Sequence, residues 1–181
     1  MPVVIGGKPE SHYSDPIGLL TDCHRRIERF LEALARIASE DGGRELAADR
    51  RASLETALKY FREAAPKHTA DEEKTLFPRL RACGRPEIDA MLAKVQSLEQ
   101  DHARADLVHA EIDRLGQAWL TAGTLPAGDA ARMTQLLDEL VLLYRDHIAL
   151  EEGAVFPQAA AVLNDADRKS MGEEMAARRR A

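Results

Sequence analysis

The sequence predicts an all-α protein, an up-down-up-down four-helix bundle with a short extra C-terminal helix. Three observations carry this. Apolar residues recur at helical spacing in four long segments, and short breaks rich in turn residues separate them. Short connections between long helices make antiparallel neighbours. The chain is 45% hydrophobic but only 4% aromatic, so its core must come from Leu, Ile, Val and Ala, which suits helices better than a sheet.

The first helix follows Asp15-Pro16, a capping residue before a proline at the first helical position. It is expected to reach about Ser39, with Ile17, Leu20, Ile27, Leu31, Leu34 and Ala38 on one stripe before the break SEDGGRE. The second helix is expected from about Glu45 to Ala82, turning Leu54, Leu58, Phe61 and Ala65 inward, and CGRP ends it. The third spans about Pro86 to Leu120 on a stripe of Ile88, Met91, Val95, Leu98, Ala105, Ile112 and Trp119. After TAGTLPAG the fourth runs from about Asp129 to Leu163, with Met133, Leu137, Leu140 and Tyr144 inward. Pro78 and Pro157 should kink or terminate the second and fourth helices. Residues 1–14 are expected as a mobile lead-in, 15–163 as the bundle, and 164–181 as a closing helix packed on or trailing it.

At 181 residues the chain suffices for one sizeable core. A net charge of -6 argues against a general nucleic-acid binder, and Arg178-Arg179-Arg180 is expected as a solvated helix end. No apolar run approaches the ~20 residues of a membrane span. The N-terminus lacks the pattern of a secretory signal, and two cysteines are too few for a disulfide framework. A cytoplasmic location and a monomer or homodimer are the corresponding expectations, with Cys23 a small core residue.

Histidine position carries the chemistry. His24 falls between Leu20 and Ile27, and His68 with Glu72 continues the stripe of Phe61 and Ala65. His102 lies between Leu98 and Ala105, and His147 with Glu151 follows Leu140 and Tyr144. Any one of these alone reads as a core histidine or a surface pair. Together they place two carboxylates among apolar side chains, which costs several kcal/mol each unless positive charge answers them. Two divalent metals would. A repeat supports the same set: HTADEEKTLFP from His68 and HIALEEGAVFP from His147 share six of eleven positions. His24 and His102 are 78 residues apart, and His68 and His147, like Glu72 and Glu151, are 79 apart. The chain reads as a duplicated helical hairpin, each copy giving one His and one His-x-x-x-Glu. Two half-sites would then face each other, with Glu72 and Glu151 available to bridge.

The order His24, His68-x-x-x-Glu72, His102, His147-x-x-x-Glu151, with its EE-x-x-x-FP trailers, resembles the hemerythrin-like (HHE cation-binding) domain over roughly Asp15 to Leu163. The resemblance implies a four-helix bundle with two non-haem, carboxylate-bridged iron ions that bind or react with dioxygen or nitric oxide. One position departs from it. Oxygen-carrying hemerythrins have a further histidine one turn after the third ligand, where this chain has Asp106. Asp106 stands as a weak ligand, a partner of a ligand or a surface acid, and reversible oxygen carriage is in doubt. His109, ~10 Å along the helix from His102, is too far to share its metal and is core or a supporting residue. Tyr144, one turn before His147, is core or a hydrogen-bond partner of a bridging carboxylate. Glu73 and Glu152 either orient ligands or face water.

A ferritin-like di-iron site needs Glu-x-x-His on two helices, and only Glu99 to His102 supplies it. A hydrolytic zinc site needs a general base that the motifs lack. Within the resemblance, a protein that binds or senses a small ligand or iron itself, an iron-handling or repair protein and a weak redox enzyme all remain. A helical interaction module without metal is the rival from another class.

Overall fold

The computed structural model describes residues 11–180. The expected mobile lead-in, 1–14, lies mostly outside those residues. Asp15 caps α1 (Pro16–Asp41) by accepting the N–H of Gly18 at 3.0 Å. Gly42 ends the helix in the left-handed region, returning its N–H to Ala38.

The second helical rod is interrupted where the sequence reading has it continuous. It comprises α2 (Ala48–Glu63), α3 (Ala65–Asp71), a π-helical turn (Glu72–Leu76) and α4 (Phe77–Ala82). Pro66, which offers no N–H to the preceding turn, accounts for the break at Ala64. α5 (Pro86–Ala122) is the unbroken third helix, ended by Gly123 at φ 80°. The fourth rod is α6 (Ala127–Leu150), a second π-helical turn (Glu151–Val155) and α7 (Phe156–Val162). α8 (Asp165–Arg180) closes the chain.

Each π turn begins on the glutamate of a His-x-x-x-Glu string and ends just before a Phe-Pro pair. The N–H of Phe77 reaches back to the carbonyl of Glu72, and that of Phe156 to Glu151, five residues in each case. Pro78 and Pro157 do not end their rods there. A proline withdraws one helical donor and crowds the carbonyl a turn behind it, and the widened turn accommodates both effects.

α1 packs on α2 and α6, and α5 packs on the same two, so the four rods form a closed square. Gly116 of α5 has no side chain where a Cβ would collide with Leu58 of α2, which allows these two helices to approach closely. The apolar core falls into two clusters. One is built from residues such as Ile27, Leu34, Leu58, Ile112 and Leu137. The other contains Leu20, Phe77, Leu98, Phe156 and Met171. Between them lies a polar layer of buried His24, His68, Glu72, His102, His147 and Glu151.

α8 packs on α1, α3 and the first π turn. This corrects the expectation of a solvated basic end for Arg178 and Arg179, while Arg180 is exposed as expected. Arg178 and Arg179 both pair with Asp71, which is fully buried, and Arg179 reaches Oδ2 at 2.6 Å. Arg178 also donates to Thr75 Oγ1 at 3.2 Å, and Glu174 accepts from the same hydroxyl at 3.0 Å. Among the described residues, no helix is long and apolar enough to cross a membrane.

Candidate metal centre

The polar layer contains two four-residue clusters that share both carboxylates. His24, His68, Glu72 and Glu151 form one, and Glu72, His102, His147 and Glu151 the other. Within each, one ligand atom per residue lies within 4.8 Å of every other. All six residues singled out in the sequence are thus brought together, one histidine from each rod.

Helical spacing fixes the pairs inside each rod. His68 Nε2 lies 3.3 Å from Glu72 Oε1, and His147 Nε2 lies 3.3 Å from Glu151 Oε2. The other contacts cross between the two halves of the repeat. His24 Nε2 lies 3.0 Å from Glu151 Oε2, and His102 Nε2 lies 3.3 Å from Glu72 Oε2. His102 and His147 approach through their Nε2 atoms at 3.2 Å, a contact in which only one of the two nitrogens can hold the proton.

Imidazole nitrogens stand 3.0 to 3.8 Å from oxygens of Glu72 and Glu151, yet none of these contacts, including those of His24 Nε2, has hydrogen-bond geometry. Buried polar atoms rarely stand unpaired. Here they converge on common points, as oxygen and nitrogen donors do around a cation, so the residues present fit a metal pair.

Without metal, protons take part of that role. Burial opposes charge on His24 and His102, but contacts with Glu151 and Glu72 outweigh it and raise them to about 10 and about 9. His68 goes the other way, lowered by burial to about 4. Burial raises Glu72, yet His68, His102 and His24 outweigh it and hold the carboxyl well below the usual range. Glu151 is held down by His147 and His24 against burial and the repulsion of Glu72.

Glu152 and Glu73 orient the histidines. His24 Nδ1 lies 2.9 Å from Glu152 Oε1, and His102 Nδ1 lies 2.9 Å from Glu73 Oε1. Phe156 stacks on His24 with ring centroids 5.3 Å apart, and Phe77 on His102 at 6.4 Å. Both contacts again cross between the halves. The repeated EE and FP letters were the available signal for these roles. Asp101, 3.5 Å from His147 Nδ1, has no counterpart in the repeat, so no sequence signal marks it.

Asp106 is exposed and stands outside both clusters. Tyr144 bonds to His109 rather than to a carboxylate, its hydroxyl lying 2.9 Å from Nε2. Glu99 pairs with Arg81 at 2.6 Å and takes no part in the clusters, which removes the ferritin-like arrangement.

The model of the hemerythrin HHE cation-binding domain matches residues 15–159. The chain belongs to the hemerythrin HHE cation-binding family. It is also similar to a protein of Haemophilus influenzae described only as uncharacterized, 28% identical over 174 residues. That alignment covers 92% of this chain and 91% of its relative. Family membership and the buried His/Glu clusters together make this a metal-binding protein of the hemerythrin type.

Proposed function

We propose that the protein holds two iron ions, one per cluster, and uses them to bind or sense a small diatomic molecule such as dioxygen or nitric oxide. His24 and His68 would hold one ion, His102 and His147 the other, and Glu72 and Glu151 would bridge them. The single observation that carries this reading is the sharing of both carboxylates by both clusters. Two isolated sites would need no common ligands.

A cavity of about 10 Å³, lined by all four histidines with Tyr144, Ile27 and Ile148, adjoins the clusters. That is the room of about one water molecule, which limits the site to ligands of a few atoms and excludes a metabolite. The iron pair would supply reversible electron transfer to such a ligand. The chain's own residues fix the imidazoles, keep the Nε2 atoms turned inward and hold bulk water out with the two apolar clusters.

Iron delivery or repair fits less well, because the six side chains are almost wholly enclosed and release would require the bundle to open. An interaction module without metal leaves the unpaired atoms of Glu72 and Glu151 unexplained. The test is metal analysis of protein grown with iron and purified without oxygen, followed by oxygen exposure under an absorption spectrometer. About two irons per chain and a ferric band shifted by azide are expected. Absence of bound metal would overturn the reading.

A further inference from the structure

Two residues outside the clusters join the inner cavity to the surface of the bundle. His109 of α5 and Tyr144 of α6 share a hydrogen bond of 2.9 Å. Tyr144 lines the inner cavity, and its ring meets His147 edge-on at 6.3 Å. On its other side His109 stacks on Phe61 at 4.3 Å. It also walls a second, outer cavity of about 240 Å³ with Leu34, Leu58 and Ile112. Arg62 and Asp113 also line this outer cavity, joined by contacts of 2.6 and 3.2 Å, and both are partly exposed. From outside inward the order is ion pair, outer cavity, His109, Tyr144, inner cavity. The walls of the outer cavity between are mainly aliphatic and aromatic, so the polar link is the His109–Tyr144 bond.

We propose that His109 and Tyr144 form a proton relay between the outer and inner cavities, serving small protic ligands that must shed or gain a proton on binding. The proposal rests on the reading of the clusters as a metal centre. A neutral imidazole offers one N–H and one lone pair, and a phenol offers both on one oxygen. Burial keeps His109 neutral, lowering it to about 4, and a phenol is neutral near pH 7. Neither group then needs to hold a charge.

Hydrazoic acid illustrates the balance. Its proton passes to the Tyr144 oxygen as the Tyr144 proton passes to His109 Nε2, and the proton on His109 Nδ1 passes to water in the outer cavity. Each bond to hydrogen that breaks is matched by one that forms. Azide stays inside as the anion, and one proton leaves. The ring resets by exchanging its tautomer with water.

The experiment follows azide association with the iron-loaded ferric protein by stopped-flow absorbance in the wild type, Tyr144→Phe, His109→Phe, the double variant and His109→Gln. The Gln amide can still bond the Tyr144 hydroxyl but cannot pass a proton as imidazole does. Association about tenfold slower in every variant is expected, with the double variant no slower than either single one and iron content unchanged. In the metal-free protein, the His109 ring nitrogens should show a neutral imidazole whose Nε2 resonance shifts in Tyr144→Phe. Rates within about twofold of wild type, with iron bound, would overturn the relay. Full rescue by His109→Gln would overturn it too, leaving His109 as a residue that only positions Tyr144. An unshifted Nε2 resonance would refute the bond itself. Failure of the metal-centre reading is distinguishable, because the wild type would then contain no iron before azide is added.

Discussion

Nδ1 of His24 lies 2.9 Å from Oε1 of Glu152, a residue 128 positions away and in the other copy of the repeat. His102 and Glu73 repeat the relationship at the same distance in the opposite sense. A carboxylate that accepts the Nδ1 proton fixes the ring's orientation and turns Nε2 inward toward Glu72 and Glu151, where a metal would displace the Nε2 proton. Each half of the chain therefore orients the other half's first histidine.

Glu152→Gln and Glu73→Gln should each weaken metal binding by about 10–100-fold while the fold persists. Competition with a chelator of known affinity measures this. The two effects should fall on different metals, since Glu152 supports His24 and Glu73 supports His102. Wild-type affinity in both variants would show that these hydrogen bonds do not tune the site.

The shared carboxylates set up a second contrast. His68→Ala touches only the first cluster and should remove one metal in preference to the other. Glu72→Gln touches both and should reduce occupancy of both. Metal analysis beside circular dichroism separates metal loss from unfolding. Equal loss in the two variants would argue against two distinct ions.

The placement of the six clustered residues was legible because each histidine occupies a core position on a helical stripe, and the duplication set the halves in matching phase. The π turns were not legible. Pro78 and Pro157 announced a disturbance, but a kink, a stop and a widened turn all answer the same missing donor. The break before Pro66 was not legible either, because Ala65 and His68 keep the apolar phase across it. Arg178 and Arg179 looked like a solvated end because their partner, Asp71, sits more than a hundred residues away, a pairing no local pattern encodes.

Asp71 supplies a stability prediction that uses the repeat. It is fully buried, and among the described residues its ion-pair partners are Arg178 and Arg179, both about three-quarters buried. Replacing both arginines with Met should cost about 3–5 kcal/mol by leaving that carboxylate unanswered. The equivalent position in the second copy is Leu150, which packs against the apolar cluster. Adding Asp71→Leu should therefore recover most of the loss in denaturant melts. A double variant as stable as wild type would show that the α8 ion pairs contribute nothing.

His109 gives the pH dependence. Burial lowers it from 6.5 to about 4, so the folded state favours the neutral ring. In the unfolded chain the ring takes a proton at about 6.5, before the folded one does. Above that pH the two states bind equal numbers of protons and the contribution to stability is complete. As pH falls from 6.5 towards 4 the unfolded state gains a proton that the folded state refuses, and stability is lost, by roughly 3 kcal/mol at most. His109→Phe keeps an aromatic ring against Phe61 and removes the titration. Metal-free wild type and variant, melted in urea at pH 7.5 and 4.5, should differ in how much stability each loses on acidification, the variant losing less. The clustered histidines titrate in both proteins and cancel in the comparison. Equal losses would place the acid sensitivity of the fold elsewhere than at His109.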